Sequence, residues 1–175
     1  MTIDDVIKQL PETAKDIRLN FSSLLKVESG SLSQDEVNAI MYAVTLSLIP
    51  TEPLKHVRDV LQTGLDPQIV KAAQIASALM SMNNIYYRFT HLSEDNELIT
   101  ANAGLRMQGM MQHGIDKKLF ELMSLAVSAA NGCGMCIQAH TRALRKVGAD
   151  TTAIQLSGKI AAVVNAFNQV ATWIS

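Results

Sequence analysis

Cys133, Cys136 and His140 stand three, four and seven residues apart in the segment Asn131-Gly-Cys-Gly-Met-Cys-Ile-Gln-Ala-His140. On an α-helix these separations put all three side chains on one stripe. His140 then lies one turn beyond Cys136 and two beyond Cys133, so its imidazole can reach the second sulfur directly and the first only through an intermediary. Cys133 follows Asn131-Gly132, a pair suited to the left-handed turn after a helix. It therefore falls at a helix N-terminus, where free N–H groups and the helix dipole favour an anion. Both features lower a thiol pKa and raise the fraction of thiolate, the reactive form. Helical residues three apart have Cβ atoms roughly 5–6 Å apart, against about 3.5–4.5 Å in a disulfide. A small adjustment at the half-helical Cys133 closes that gap with some strain, and strained, accessible disulfides are easily reduced. The chemistry implied is a dithiol/disulfide cycle.

Glu121 lies 12 residues before Cys133 in an otherwise apolar segment. A carboxylate on a helix that folds back beside the cysteine helix can act through His140 as a proton relay; a solvated charge on the helix face is the plainer alternative. Zinc is the competing use of two thiolates and an imidazole. A closed structural site needs a fourth ligand, and neither a second CxxC nor an HxxxH occurs. His56, His91 and His113 have no spaced partner and read as surface or interface residues. The methionines and Tyr42, Tyr86 and Tyr87 fall at helical spacings and read as packing. Phosphate-binding glycine loops, GxSxG and paired metal carboxylates do not occur, so no tightly bound cofactor and no metal are expected.

The elements that must position these residues are helices. Apolar residues recur with a 3.6-residue period and no stretch alternates, which makes the chain all-α. Thr2 caps a first short helix, and Pro11 begins an element running through Phe21 toward Leu25. The capping box Ser33-Gln-Asp-Glu36 opens a helix that Pro50 stops. Pro53 opens another, closed by Gly64, and Asp66-Pro67 starts a long one whose end falls between Tyr87 and His91. The polar stretch Ser93–Gly104 reads as the main loop, with a short helix around Leu105–Met111. Asp116 caps the helix that carries Glu121, the next runs from Cys133 to Gly148, and Asp150 caps the last. The sum is a single-domain bundle of seven to eight helices over residues 1–175, with the redox motif in 117–148.

Composition narrows the partners. The 175 residues suffice for one real core without a staple. A net charge of -1 with both signs scattered provides no basic stripe for nucleic acid and no anchor for a membrane. Apolar runs stop well short of the ~20 residues that span a bilayer, and the acidic Asp4-Asp5 stands where a signal peptide would be basic. The expected location is the cytoplasm, where a close cysteine pair is catalytic, redox-sensing or metal-binding more often than structural. Nine methionines and 48% hydrophobic residues point to self-association.

The motif is similar to that of the AhpD proteins, alkyl hydroperoxidases and adapter partners of the peroxiredoxin AhpC within the carboxymuconolactone decarboxylase-like superfamily. Beyond CxxCxxxH, the segments Leu10-Pro-Glu12, Ala14-Lys-Asp-Ile17, Leu19-Asn20, Met82-Asn-Asn84, Tyr87-Arg88 and Phe120-Glu-Leu122 resemble that family along essentially the whole chain. The resemblance implies an all-helical protomer assembled as a homotrimer and an antioxidant function in oxidative stress. It implies that Cys136 attacks the hydroperoxide and becomes a sulfenic acid. Cys133 would supply a proton and resolve it to a Cys133–Cys136 disulfide, with Glu121 and His140 as the proton relay. Electrons would come from dihydrolipoamide on a lipoylated acyltransferase, regenerated by dihydrolipoamide dehydrogenase. Oxidised AhpC would be reduced through an interchain disulfide at Cys136.

The helix dipole favours Cys133 as the more acidic thiol and proximity to His140 favours Cys136; a directly placed base contributes more, so Cys136 is the expected nucleophile. Some members of the family carry His directly before the second cysteine where this chain has Met135, which bears on the tuning of the thiol. Two alternatives stand beside the peroxidase: an adapter that reduces AhpC with little peroxidase activity of its own, and a decarboxylase-like lyase, against which both cysteines argue.

Overall fold

A computed structural model of the chain describes residues 1–27 and 31–174. Among them, every regular element is helical. The α-helices are α1 (Ile3–Lys8), α2 (Lys15–Leu24), α3 (Gln34–Ser47), α4 (Glu52–Gly64), α5 (Pro67–Leu92), α6 (Asn96–Thr100), α7 (Lys117–Ala130), α8 (Gly134–Lys146) and α9 (Thr151–Ala171), with 3-10 turns at Glu12–Ala14 and Gln108–Met110. The starts follow the expected capping chemistry. Thr2 and Ser33 form capping boxes with Asp5 and Glu36, and Asp66, Asp116 and Asp150 each accept a first-turn N–H.

Among the described residues nine α-helices stand where the sequence leads one to expect seven or eight. The added one, α6, lies within the supposed loop Ser93–Gly104, where the Asp95 carboxylate accepts from the N–H groups of Glu97 and Leu98. Around Leu105–Met111 only a 3-10 turn forms. Gly109 there approaches α5 so closely that a Cβ would stand 2.8 Å from Ile75 Cγ2.

The centre of the bundle is α7, packed against α3, α5, α8 and α9. Every residue from Leu119 to Ser128 is buried, Glu121 included, as expected of a helix that is apolar nearly all round. The remaining core is built by α9, which also packs on α2, α3 and α4. Phe167 of α9 meets Phe21 of α2 with ring centroids 4.5 Å apart, both rings being fully buried. Phe167→Ala is expected to destabilise the fold by about 3–5 kcal/mol through lost burial and an unfilled cavity. Urea denaturation checks this, and a loss below about 1 kcal/mol would contradict the packing described.

No helix of the described residues is long and apolar enough to cross a membrane.

Candidate active site

The turn between α7 and α8 sets the position of the cysteines. After α7, Gly132 adopts φ +69, a left-handed conformation that glycine takes without steric cost. Its N–H donates to Ala129 O at 3.1 Å and the Cys133 N–H to Ser128 O at 3.1 Å, the two bonds of a Schellman ending. This closure makes Cys133 the N-cap of α8 rather than its first helical residue, and Cys133 Sγ accepts the Cys136 N–H at 3.4 Å. From α5, Arg88 donates to Asn131 O. Asn84 donates to Ser128 Oγ and accepts from Asn131 Nδ2, both at 3.0 Å. Long-range polar bonds thus clamp the turn to the middle of the bundle.

Cys136, His140 and Leu144 form the buried stripe of α8. The two sulfurs are free thiols 2.6 Å apart, so closing a bond of about 2.05 Å needs a shift of roughly half an ångström. They differ in access. Cys133 is 0% exposed and Cys136 6% exposed, and it is Cys136 that lines a cavity of about 280 Å³. Met80 and Asn83 of α5, Met110 of the 3-10 turn, and Met135 and His140 of α8 line the same cavity. The three methionines, which the sequence alone marks as packing, form a soft apolar wall suited to an alkyl group. Met135, the departure from the family pattern, belongs to that wall.

Glu121 and His140 meet inside the protein: Nδ1 of the ring lies 2.7 Å from the carboxylate Oε2, with the residues 8% and 7% exposed. The other ring nitrogen, Nε2, faces the Met80 thioether at 3.1 Å. Spacing leads one to expect the imidazole on Cys136; in the structure its hydrogen-bond partners among the described residues are Glu121 and Met80. Cys136 Sγ instead points its thiol at Asn83 O, 3.9 Å away. Among the described residues no three His, Cys, Asp or Glu side chains converge as a metal site. His56, with Nε2 on Met1 O, and His91 stand apart from this site, whereas His113, stacked on Phe120, lies close enough to feel the Glu121 carboxylate.

Acidity at Cys136 also departs from expectation. Burial above all, then the neighbouring Cys133 thiol, pushes the Cys136 thiol from 9.0 up to about 12, against the pull of the Asn84 side chain. Desolvation of the thiolate outweighs the dipole and the nearby ring. Reduced protein is therefore expected to show alkylation of Cys136 that accelerates with pH through and beyond 9; mass spectrometry that found a plateau below pH 9 would contradict this. The same shift bears on stability. The folded state holds its proton more tightly than the unfolded chain, so the contribution is complete below pH 9 and is lost as pH climbs toward 12.

Met80, Asn83, Asn84 and Arg88 are absent from the residues that spacing picks out. Asn83, Asn84 and Arg88 enter the sequence reading only through the family-like segments Met82-Asn-Asn84 and Tyr87-Arg88; the physical signal beside that is a pair of asparagines amid an apolar helix, where asparagine is a poor helix former.

Comparison with known proteins agrees with this architecture. Alkyl hydroperoxide reductase AhpD of Maricaulis maris is 44% identical over 170 residues, covering 97% of each chain. The chain belongs to the AhpD family. The AhpD of Acidobacterium capsulatum is 42% identical over 173 residues, 97% of this chain and 92% of the relative. The AhpD of Coxiella burnetii is 42% identical over 163 residues, 93% and 92%. Residues 97–173 match the model of the carboxymuconolactone decarboxylase family. The AhpD likeness thus spans nearly the whole chain, whereas the broader family accounts for its C-terminal part, the cysteine pair included.

Proposed function

We propose that the protein is a cytoplasmic alkyl hydroperoxide reductase that turns over through Cys133 and Cys136. The observation that carries this reading is the asymmetry of the pair: Cys136 lines an apolar cavity, and Cys133 waits behind it with its sulfur 2.6 Å away. A hydroperoxide bound in the cavity meets Cys136 first. Its thiolate attacks the terminal oxygen, the O–O bond breaks, and the alkoxide leaves as the alcohol with the proton given up by the thiol. Cys136 becomes a sulfenic acid. Cys133 then attacks that sulfur, the disulfide forms and water departs.

Glu121 and His140 serve as the proton relay. With Nδ1–H donated to the Glu121 carboxylate, Nε2 is the nitrogen left to exchange a proton. Met80 occupies it at rest, and its flexible side chain yields when His140 works. Reduction reverses the order. A dihydrolipoyl thiolate attacks the accessible Cys136 sulfur, and Cys133 leaves as an anion eased by the N–H of Cys136 and the start of α8. The same exchange at Cys136 reduces oxidised AhpC through an interchain disulfide. Dihydrolipoamide, held on a lipoylated acyltransferase and regenerated by dihydrolipoamide dehydrogenase, is the electron donor. The reading includes a homotrimer, supported by Ile85, Phe89 and Leu92, which expose 58%, 56% and 69% of their surface along one side of α5.

The adapter is the second reading; the thiol of Cys136, held up to about 12, is a scarce thiolate at neutral pH and slows attack on peroxide and on disulfide alike. An adapter would exchange disulfides with AhpC and react slowly with peroxide. Anaerobic addition of one equivalent of cumene hydroperoxide to the reduced protein tests the choice. Stoichiometric Cys133–Cys136 disulfide and cumyl alcohol within seconds are the result expected of a peroxidase, and persistence of both thiols beside rapid exchange with AhpC would replace it by the adapter.

A further inference from the structure

Breaking the O–O bond of an alkyl hydroperoxide releases an alkoxide, a far poorer leaving group than the thiolate released in disulfide exchange. The charge develops against a mostly apolar wall, where a positioned hydrogen-bond donor is worth more than in water. The groups of the relay and the dithiol are already committed. His140 has Nδ1 on Glu121 and Nε2 facing Met80, and Cys133 is buried behind the reacting sulfur.

Tyr87, which its spacing marks as packing, lines the same cavity as Cys136. It follows Met80 and Asn83 by seven and four residues on α5, so the three share one face. A helical side chain leans over the turn before its own Cα. For Tyr87 that is the turn of Asn83, whose carbonyl lies 3.9 Å from Cys136 Sγ. The ring is half-buried and meets Tyr86 edge-on, with centroids 5.3 Å apart. Its hydroxyl opens on the cavity and has no hydrogen-bond partner among the described residues. The other polar groups of the wall suit the task less. The Asn83 amide N–H is a weaker donor than a phenol. Arg142 is exposed, its charge screened by water, and lies six residues beyond Cys136, roughly 9 Å along the axis of α8.

We propose that the Tyr87 hydroxyl binds the alkyl-bearing oxygen of the hydroperoxide and donates a hydrogen bond to it as the O–O bond breaks. This inference rests on the peroxidase reading above. The step stays balanced: the Cys136 sulfur gains the terminal OH and loses two electrons, the O–O bond takes them, and the leaving oxygen becomes the alcohol with the proton given up by the thiol. Tyr87 keeps its own proton and stabilises the charge until that proton arrives. Its help scales with the basicity of the leaving oxygen, so a peroxycarboxylic acid, which releases a carboxylate, needs little of it.

Tyr87→Phe keeps the ring and its contact with Tyr86 and removes only the hydroxyl. Reduced wild type and variant are mixed anaerobically with cumene hydroperoxide or with peroxyacetic acid, and loss of thiols is followed in quenched flow. The variant is expected to react with cumene hydroperoxide roughly tenfold more slowly and with peroxyacetic acid within about twofold of wild type, the scale of one hydrogen bond to a charged oxygen. Tyr86→Phe, at a residue that does not line the cavity, is expected to match wild type with both. The same change with both peroxides, or none, is the mark of a merely structural Tyr87 and would overturn the inference while the peroxidase reading stood. A selective loss in Arg142→Met in place of Tyr87→Phe would do the same. A wild type inert to cumene hydroperoxide but reactive with lipoamide disulfide would overturn both.

Discussion

Cys136→Ser is expected to abolish hydroperoxide turnover, by about 10³-fold or more, with the helical fold retained. The geometry makes the loss specific. Cys136 is the cysteine on the cavity wall, and Cys133 is fully buried behind it, so no second thiol is placed to receive the peroxide oxygen. The same change is expected to remove the proposed mixed disulfide with AhpC. The complementary variant behaves differently. Cys133→Ser keeps the attacking sulfur and deletes the resolving one, so one equivalent of hydroperoxide leaves Cys136 one oxygen atom heavier and reactive toward dimedone. Retained turnover in Cys136→Ser, or an oxidised Cys133 in its place, would exchange the two roles.

The second large effect is expected at the buried acid. Glu121 sits on the most enclosed helix of the bundle, and its carboxylate has His140 2.7 Å away as its partner. Glu121→Gln preserves volume and still offers Nδ1–H an acceptor, but it removes the carboxyl group from the proposed relay. Turnover is expected to fall about 10²-fold, the usual scale for a lost general acid–base group, with an altered pH–rate profile and a nearly unchanged melting temperature. His140→Leu is more severe for the fold. It leaves the Glu121 carboxyl without a partner in the interior, at a cost of about 2–4 kcal/mol. Steady-state kinetics and thermal unfolding separate the two variants, and Glu121→Gln with wild-type turnover would remove the relay from the account.

Much of this was legible in the sequence because it is governed by local rules. Helix starts at Ser33, Asp66, Asp116 and Asp150 are written in capping residues, and Gly132 marks the turn that makes Cys133 an N-cap. The burial of Glu121 follows from its apolar neighbours on α7. What escaped depends on contacts between distant segments. The short α6 is too brief for a period to register, and only the Asp95 cap announces it. Met80 lies one turn from Asn84 on α5, but that it meets His140 Nε2 on the cavity wall is settled by how α5 packs against α8. The raised pKa of Cys136 lies beyond the sequence for the same reason. Helix dipole and histidine spacing are visible along one helix, whereas desolvation comes from all the elements packed around it.

Coupled turnover tests the central claim most directly: reduced protein supplied with dihydrolipoamide, its dehydrogenase and NADH, then challenged anaerobically with an alkyl hydroperoxide in the presence and absence of AhpC. NADH consumption without AhpC, absent in Cys136→Ser, is the predicted result. Consumption only when AhpC is present, or none in either case, would contradict a cavity-bound peroxidase centred on Cys136.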